Sequence, residues 1–113
     1  MIKNSNIVIT GTSSGIGKEL ALKFLENGNK VWGCSRKKNP IRIKNYFHCK
    51  VDLSDPSKIE EWIYKVSENT NGKIDIFVSN AAVFERKLNS LDSFKNIRNT
   101  ISINLIAPIL ITN

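Results

Sequence analysis

Gly11, Gly15 and Gly17 carry the clearest chemical signal in this sequence, at the spacing G-x-x-x-G-x-G. Glycine lets a backbone turn with φ > 0 and approach a ligand closely. A helical pattern begins at once behind these glycines, so its first N–H groups and its partial positive charge face the same place. A strand, a glycine turn and a helix in this order hold a phosphate group. Ser13, Ser14 and Ile16 fill the rest of the loop. An ordinary tight strand-to-helix turn has the same look. On these residues alone both readings stay open.

The elements that must position the loop follow from apolar periodicity. Asn6 to Thr10 reads as a buried parallel strand, and Gly15 to Glu26 as a helix with Ile16, Leu20 and Phe24 on one face. Gly28 suits a left-handed cap behind it. A second strand is expected over Lys30 to Cys34, a polar loop over Lys37 to Asn45, and a third strand over Tyr46 to Val51. Asp55 caps a second helix with Pro56 at its first position. Ile59, Trp62, Ile63 and Val66 give that helix an apolar face, and Asn71-Gly72 closes it. Ile74 to Ser79 is a fourth strand, Asn80 to Asn89 a loop, and Leu91 onward a last helical segment.

Strands alternating with helices imply a parallel sheet with right-handed crossovers. The expected architecture is α/β: a Rossmann-like doubly wound parallel sheet in the order 3-2-1-4, incomplete, ending in the helix after strand four. Its topological switch point lies between strands one and four, where ligands sit beyond the carboxyl ends of the strands. Gly11 to Gly17 and Asn80 to Ala82 both emerge there.

Size and composition narrow the function classes. The 113 residues suit one domain at most, and 41% of them are hydrophobic, enough for a core. The longest apolar stretch, Ile101 to Ile111, is too short for a membrane span and is broken by Ser102, Asn104 and Pro108. The first residues do not read as a secretory leader. Two cysteines, Cys34 and Cys49, are too few for a disulfide scaffold; a cytoplasmic chain with reduced thiols is expected. The net charge is +7, and the stretch Arg36, Lys37, Lys38, Arg42, Lys44, Lys50 holds no acid until Asp52. Aromatic side chains do not interleave there as stacking platforms, so a solvated loop with one or two phosphate contacts is favoured over a nucleic-acid surface. His48 and the two cysteines are too scattered for a metal site.

Four stretches together resemble the classical short-chain dehydrogenases/reductases. Thr10 to Gly17 is similar to the family's T-G-x-x-x-G-I-G loop. Asp52-Leu53-Ser54 resembles its acidic position near the adenine, and Asp75 to Ala82 its D-x-L-V-N-N-A-G stretch. Ile103 to Pro108 resembles its helix motif around an active-site asparagine. The resemblance covers nearly the whole chain. It implies a nicotinamide dinucleotide and a carbonyl/alcohol substrate interconverted by hydride transfer. By the same resemblance, Gly11 to Gly17 hold the pyrophosphate side, Asp52 and Leu53 the adenine, and Asn80, Ala81 and Ala82 the ribose. Asn104 holds a water in the proton relay, and the intact enzyme self-associates as a homo-oligomer. Asp75 is expected to hold structure.

Cofactor choice turns on the end of strand two. A dinucleotide without a 2′-phosphate is usually read by an acid there. Here the strand ends Cys34-Ser35-Arg36 with no acid. Arg36 offers a planar fork to a 2′-phosphate and Ser35 a further hydrogen bond, which favours NADP(H) over NAD(H). Ser14 argues the other way, since many NADP(H) enzymes carry a base at that place.

Departures from the family pattern also count. Ala82 stands in place of the usual glycine and Ser79 in place of an asparagine. The family's catalytic serine and Tyr-x-x-x-Lys pair lie beyond strand four, and no such pair follows it in these 113 residues. The Tyr46-x-x-x-Lys50 spacing falls on strand three, where residues four apart stand about 13 Å apart along the chain, so it is read as coincidence. The chain is therefore expected to bind cofactor and to be catalytically incomplete by itself. The alternative is a truncated or split nucleotide-binding or interaction module.

Overall fold

A computed structural model describes residues 2–13, 15–39 and 41–81. Strands β1 (Asn6–Thr10), β2 (Lys30–Ser35), β3 (Tyr46–Lys50) and β4 (Ile76–Ser79) form one sheet, ordered β3-β2-β1-β4. Every pairing is parallel: Ile7 lies opposite Val31 on one side and Ile76 on the other, and Cys34 lies opposite Cys49. Helices α1 (Gly15–Glu26) and α2 (Pro56–Thr70) make the crossovers. The expected α/β class and strand order are those found.

Alternation along β1 splits the core into two layers. Ile7 and Ile9 face α1 and pack with Ala21, Val31, Ile41 and Tyr46. Val8 points the other way, into Trp32, Cys34, Val51, Leu53 and the α2 residues Ile59, Trp62 and Val66. Burial on both faces explains why the β1 run is continuously apolar.

The ends of α2 follow local chemistry. The Asp55 carboxylate accepts from the Ser57 N–H at 3.0 Å and the Ser57 hydroxyl at 2.8 Å. Asn71 closes the helix in the left-handed region at φ 54°. The fourth strand begins at Ile76 rather than Ile74, because Asp75 turns back on β1. Its carboxylate accepts the Asn6 N–H at 2.8 Å, and its own N–H donates to the Asn6 carbonyl. That is the structural role expected of Asp75.

The face of α1 differs from the periodic expectation. Ile16 is 72% exposed, while Gly17 and Ala21 are buried. A Cβ at position 17 would overlap the Gly11 carbonyl oxygen. The helix therefore meets the sheet along its smallest residues, with Leu20, Phe24 and Leu25 half-buried at its flanks. Ser14, Ala82, Asn104 and the expected last helix from Leu91 lie outside the described residues.

Candidate functional site

The loops after β1 and β4 are locked together at the carboxyl edge of the sheet. Thr10 ends β1, and its Oγ1 accepts the N–H groups of Asn80 and Ala81, each at 3.0 Å. Asn80 returns the contact: its Nδ2 donates to the Gly11 carbonyl at 2.9 Å. Two glycines make this possible. Gly11 turns at φ +75° directly against the Ala81 backbone, and Gly17 lies under the Gly11 carbonyl where any Cβ would clash. The loop is also tied sideways, since the Gly11 and Thr12 N–H groups share the Cys34 carbonyl at 2.9 and 3.3 Å.

Gly15 is different. It turns at φ +61°, yet a Cβ there would meet nothing within 4 Å. Its turn faces open space at the start of α1. The loop is thus braced from behind by β4 and open in front, the arrangement a phosphate-bearing ligand needs beside a helix N-terminus.

At the end of β2, Ser35 is buried and Arg36 and Lys37 are exposed. The Ser35 hydroxyl is committed to its own loop: it donates to the Lys37 carbonyl at 3.1 Å and accepts the Lys37 N–H at 3.2 Å. Arg36 faces the end of β3. The Asp52 carboxyl there is held below its usual range by the Ser54 hydroxyl at 2.7 Å and the Ser54 N–H at 3.0 Å, with Arg36 adding to the effect. Asp52 is exposed, whereas the Leu53 side chain lies in the core under α2.

A buried polar chain that sequence reasoning missed links the two regions. Thr12 Oγ1 and Tyr46 Oη lie 2.6 Å apart, and Tyr46 Oη is 2.6 Å from His48 Nδ1. His48 Nε2 in turn lies 3.0 Å from Ser35 Oγ and 3.1 Å from the Lys37 carbonyl. Burial pushes the Tyr46 phenol up to about 12, against the Thr12 hydrogen bond. Burial also lowers His48 below its usual value, opposed by the Lys37 carbonyl. The available signal was Gly33, a glycine inside a buried strand, which marks a close approach by another group. A Cβ there would overlap Tyr46 Oη.

Of the expected cofactor residues, the structure brings Gly11, Ser13, Gly15, Ile16, Gly17, Asn80 and Ala81 to one edge, with Ser35, Arg36, Asp52 and Leu53 along the ends of β2 and β3. Among the described residues, no group of three His, Cys, Asp or Glu side chains could hold a metal, and no helix is long and apolar enough to cross a membrane.

A parallel β3-β2-β1-β4 sheet with a glycine turn at its switch point is a Rossmann-like α/β fold. The short chain dehydrogenase family model matches residues 5–113, and the chain belongs to that family. It is 36% identical over 107 residues to the short chain dehydrogenase ausX of Emericella nidulans, spanning 91% of this chain and 54% of that protein. It is 30% identical over 112 residues to the NADPH-dependent 3-dehydrocapnine reductase of Ornithobacterium rhinotracheale, spanning 93% of this chain and 40% of that one. Among solved structures it resembles 4-hydroxyisoleucine dehydrogenase complexed with NADH, with TM-score 0.79 and 28% identity, over 96% of this chain and 47% of the other. The chain thus spans about half the length of the relatives it matches, or less.

Proposed function

We propose that these residues form the dinucleotide-binding part of a reductase or dehydrogenase that interconverts a carbonyl and an alcohol, with NADPH preferred to NADH. The observation that carries this reading is the braced glycine loop, open at Gly15, with the exposed Arg36 beyond the neighbouring strand. The loop N–H groups and the start of α1 would take the pyrophosphate. Arg36 would take a 2′-phosphate through its planar fork, and the exposed Asp52 would face the adenine side. The Ser35 hydroxyl already has partners within its own loop, so Arg36 bears the selection for phosphate.

The cofactor, when bound, supplies the hydride. The groups of this chain bind and orient it: Asn80 and Thr10 fix the loop against which it rests. Asn104 fits the role of the water-holding asparagine, while Ser14 lies in the glycine loop and Ala82 takes the place of the family's glycine after Asn80-Ala81. The 34 residues from Asn80 to Asn113 contain no tyrosine that could match the family's proton donor. The 113 residues by themselves are expected to bind cofactor without reducing a ketone.

Titration of this chain with NADPH and with NADH, followed by calorimetry, tests the reading. NADPH should bind at least several-fold more tightly. Absence of binding to either, or tighter binding of NADH, would overturn it. Carbonyl reduction by the 113 residues alone would refute their catalytic incompleteness.

A further inference from the structure

The cofactor-selecting loop after β2 is held from outside its own segment. The Lys37 carbonyl receives the Ser35 hydroxyl at 3.1 Å from within the loop and faces His48 Nε2 at 3.1 Å from β3. A carbonyl only accepts, so this contact assigns the imidazole proton to Nε2. The other nitrogen, Nδ1, is then an acceptor. It takes the Tyr46 O–H at 2.6 Å, and Tyr46 Oη takes the Thr12 O–H at 2.6 Å. One tautomer satisfies every member of the chain, and no buried side-chain polar atom among the described residues lacks a partner. Arg36 sits between the two residues so held, Ser35 and Lys37.

We propose that His48 is a positioning residue for cofactor selection: through the Lys37 carbonyl it fixes the backbone on either side of Arg36 and so presents the guanidinium to a 2′-phosphate. The proposal rests on the dinucleotide reading above and adds to it a residue on a different strand. His48 alternates with Tyr46 on the α1 side of β3 and lies opposite Gly33, whose missing side chain leaves room for the phenol. The same chain reaches Thr12 in the glycine loop, so the pyrophosphate and ribose ends share one internal brace.

Two polar variants separate positioning from simple packing. In His48→Gln the amide nitrogen reaches where Nε2 stood and keeps the Lys37 bond. In His48→Asn the shorter amide meets Tyr46 but falls short of Lys37. Dissociation constants for NADPH and NADH are measured for each, together with hydrogen exchange at the Lys37 amide in the free chain. His48→Asn should weaken NADPH by about ten-fold, leave NADH within about two-fold, and speed Lys37 exchange, in keeping with loss of one hydrogen bond. His48→Gln should stay close to the parent in all three. Ser35→Ala removes the other brace on Lys37 and should act as His48→Asn does. It decides the matter should His48→Asn fail to fold.

A folded His48→Asn chain with the parental NADPH-to-NADH ratio overturns the proposal, whatever its exchange rate. Equal losses for both cofactors in both His48 variants overturn it too, since packing alone would act that way. A parent chain that binds neither dinucleotide brings down the functional reading underneath, an outcome distinct from an unchanged ratio.

Discussion

Asn80 Nδ2 donates to the carbonyl of Gly11 across 2.9 Å, joining two loops 69 residues apart in the chain. Gly17 lies under the same carbonyl, and its hydrogen occupies the only space a side chain could take. Gly17→Ala should therefore destabilise the fold by about 3 kcal/mol, because the new Cβ meets the Gly11 carbonyl, which is backbone and cannot step aside, and the Asn80 amide bonded to it. Gly15→Ala should cost about 1–2 kcal/mol, since only the left-handed φ of +61° is strained there and the space is open. Urea unfolding of the two variants checks the order. Equal losses would place both glycines in the same environment, contrary to the structure.

Gly33 and Tyr46 should couple. A Cβ at position 33 overlaps Tyr46 Oη and crowds Thr12 Oγ1. Gly33→Ala should lose about 2 kcal/mol by overpacking. Tyr46→Phe removes the atom most in the way, at the expense of the bonds to Thr12 and His48. The double variant should be more stable than the sum of the two losses allows, by about 1 kcal/mol. A double-mutant cycle on unfolding free energies measures this directly.

These two cases show what the sequence made legible. Element order and strand pairing could be read because the strands are short runs between turns and the helices carry end signals of their own, as α2 does with Asp55-Pro56 at its start and Asn71-Gly72 at its close. The glycine loop was readable for the same local reason. Ile16 was misplaced because periodicity weighs apolar character and ignores close approach, and close approach at Gly17 set the rotation of α1. The Thr12–Tyr46–His48 chain was invisible because it joins residues 34 positions apart. The alternation of Tyr46 and His48 opposite a mid-strand glycine was its one trace.

Stability should fall in two steps on acidification. His48 is held below its ordinary 6.5 by burial, so the unfolded chain takes up its proton first. Stability is full above that pH and declines as pH falls from 6.5 through the lower folded value. Asp52 is held below 3.8 by its bonds from Ser54, and Asp55 by its bonds from Ser57. Their contribution is present above 3.8 and is lost as pH drops through their folded values. Both carboxylates are largely solvated, so the second step should be shallow. Urea midpoints measured across pH should lose the first step in His48→Gln and flatten the second in Asp52→Asn.

The two cysteines should differ in reactivity although they lie opposite each other on β2 and β3. Burial pushes the Cys34 thiol up to about 12. At pH 8 its thiolate is then about one part in ten thousand, and the thiolate is the nucleophile. Cys49 is half-exposed. Iodoacetamide on the native chain should label Cys49 alone, with Cys34 modified only after denaturant is added. Mass spectrometry of the labelled peptides distinguishes them; early labelling of Cys34 would mean that β2 opens readily.

Arg36 gives the sharpest test of cofactor choice. It is exposed beyond β2, no acid accompanies it on that strand end, and its charge helps hold the Asp52 carboxyl low. Arg36→Gln keeps a hydrogen-bonding side chain and removes the cation. NADPH affinity should fall by about ten-fold or more, as a charge-assisted fork to phosphate is lost. NADH affinity should stay nearly constant, because a ribose hydroxyl needs no cation. The same variant should let the Asp52 carboxyl titrate closer to the ordinary carboxylate range, readable by NMR without any cofactor. Arg36→Asp goes further: it places an acid where a 2′-hydroxyl is read, and should turn the preference toward NADH. An Arg36→Asp chain that still favours NADPH would show that another cation receives the phosphate. Lys37, next along the same exposed loop, would be the residue to substitute next.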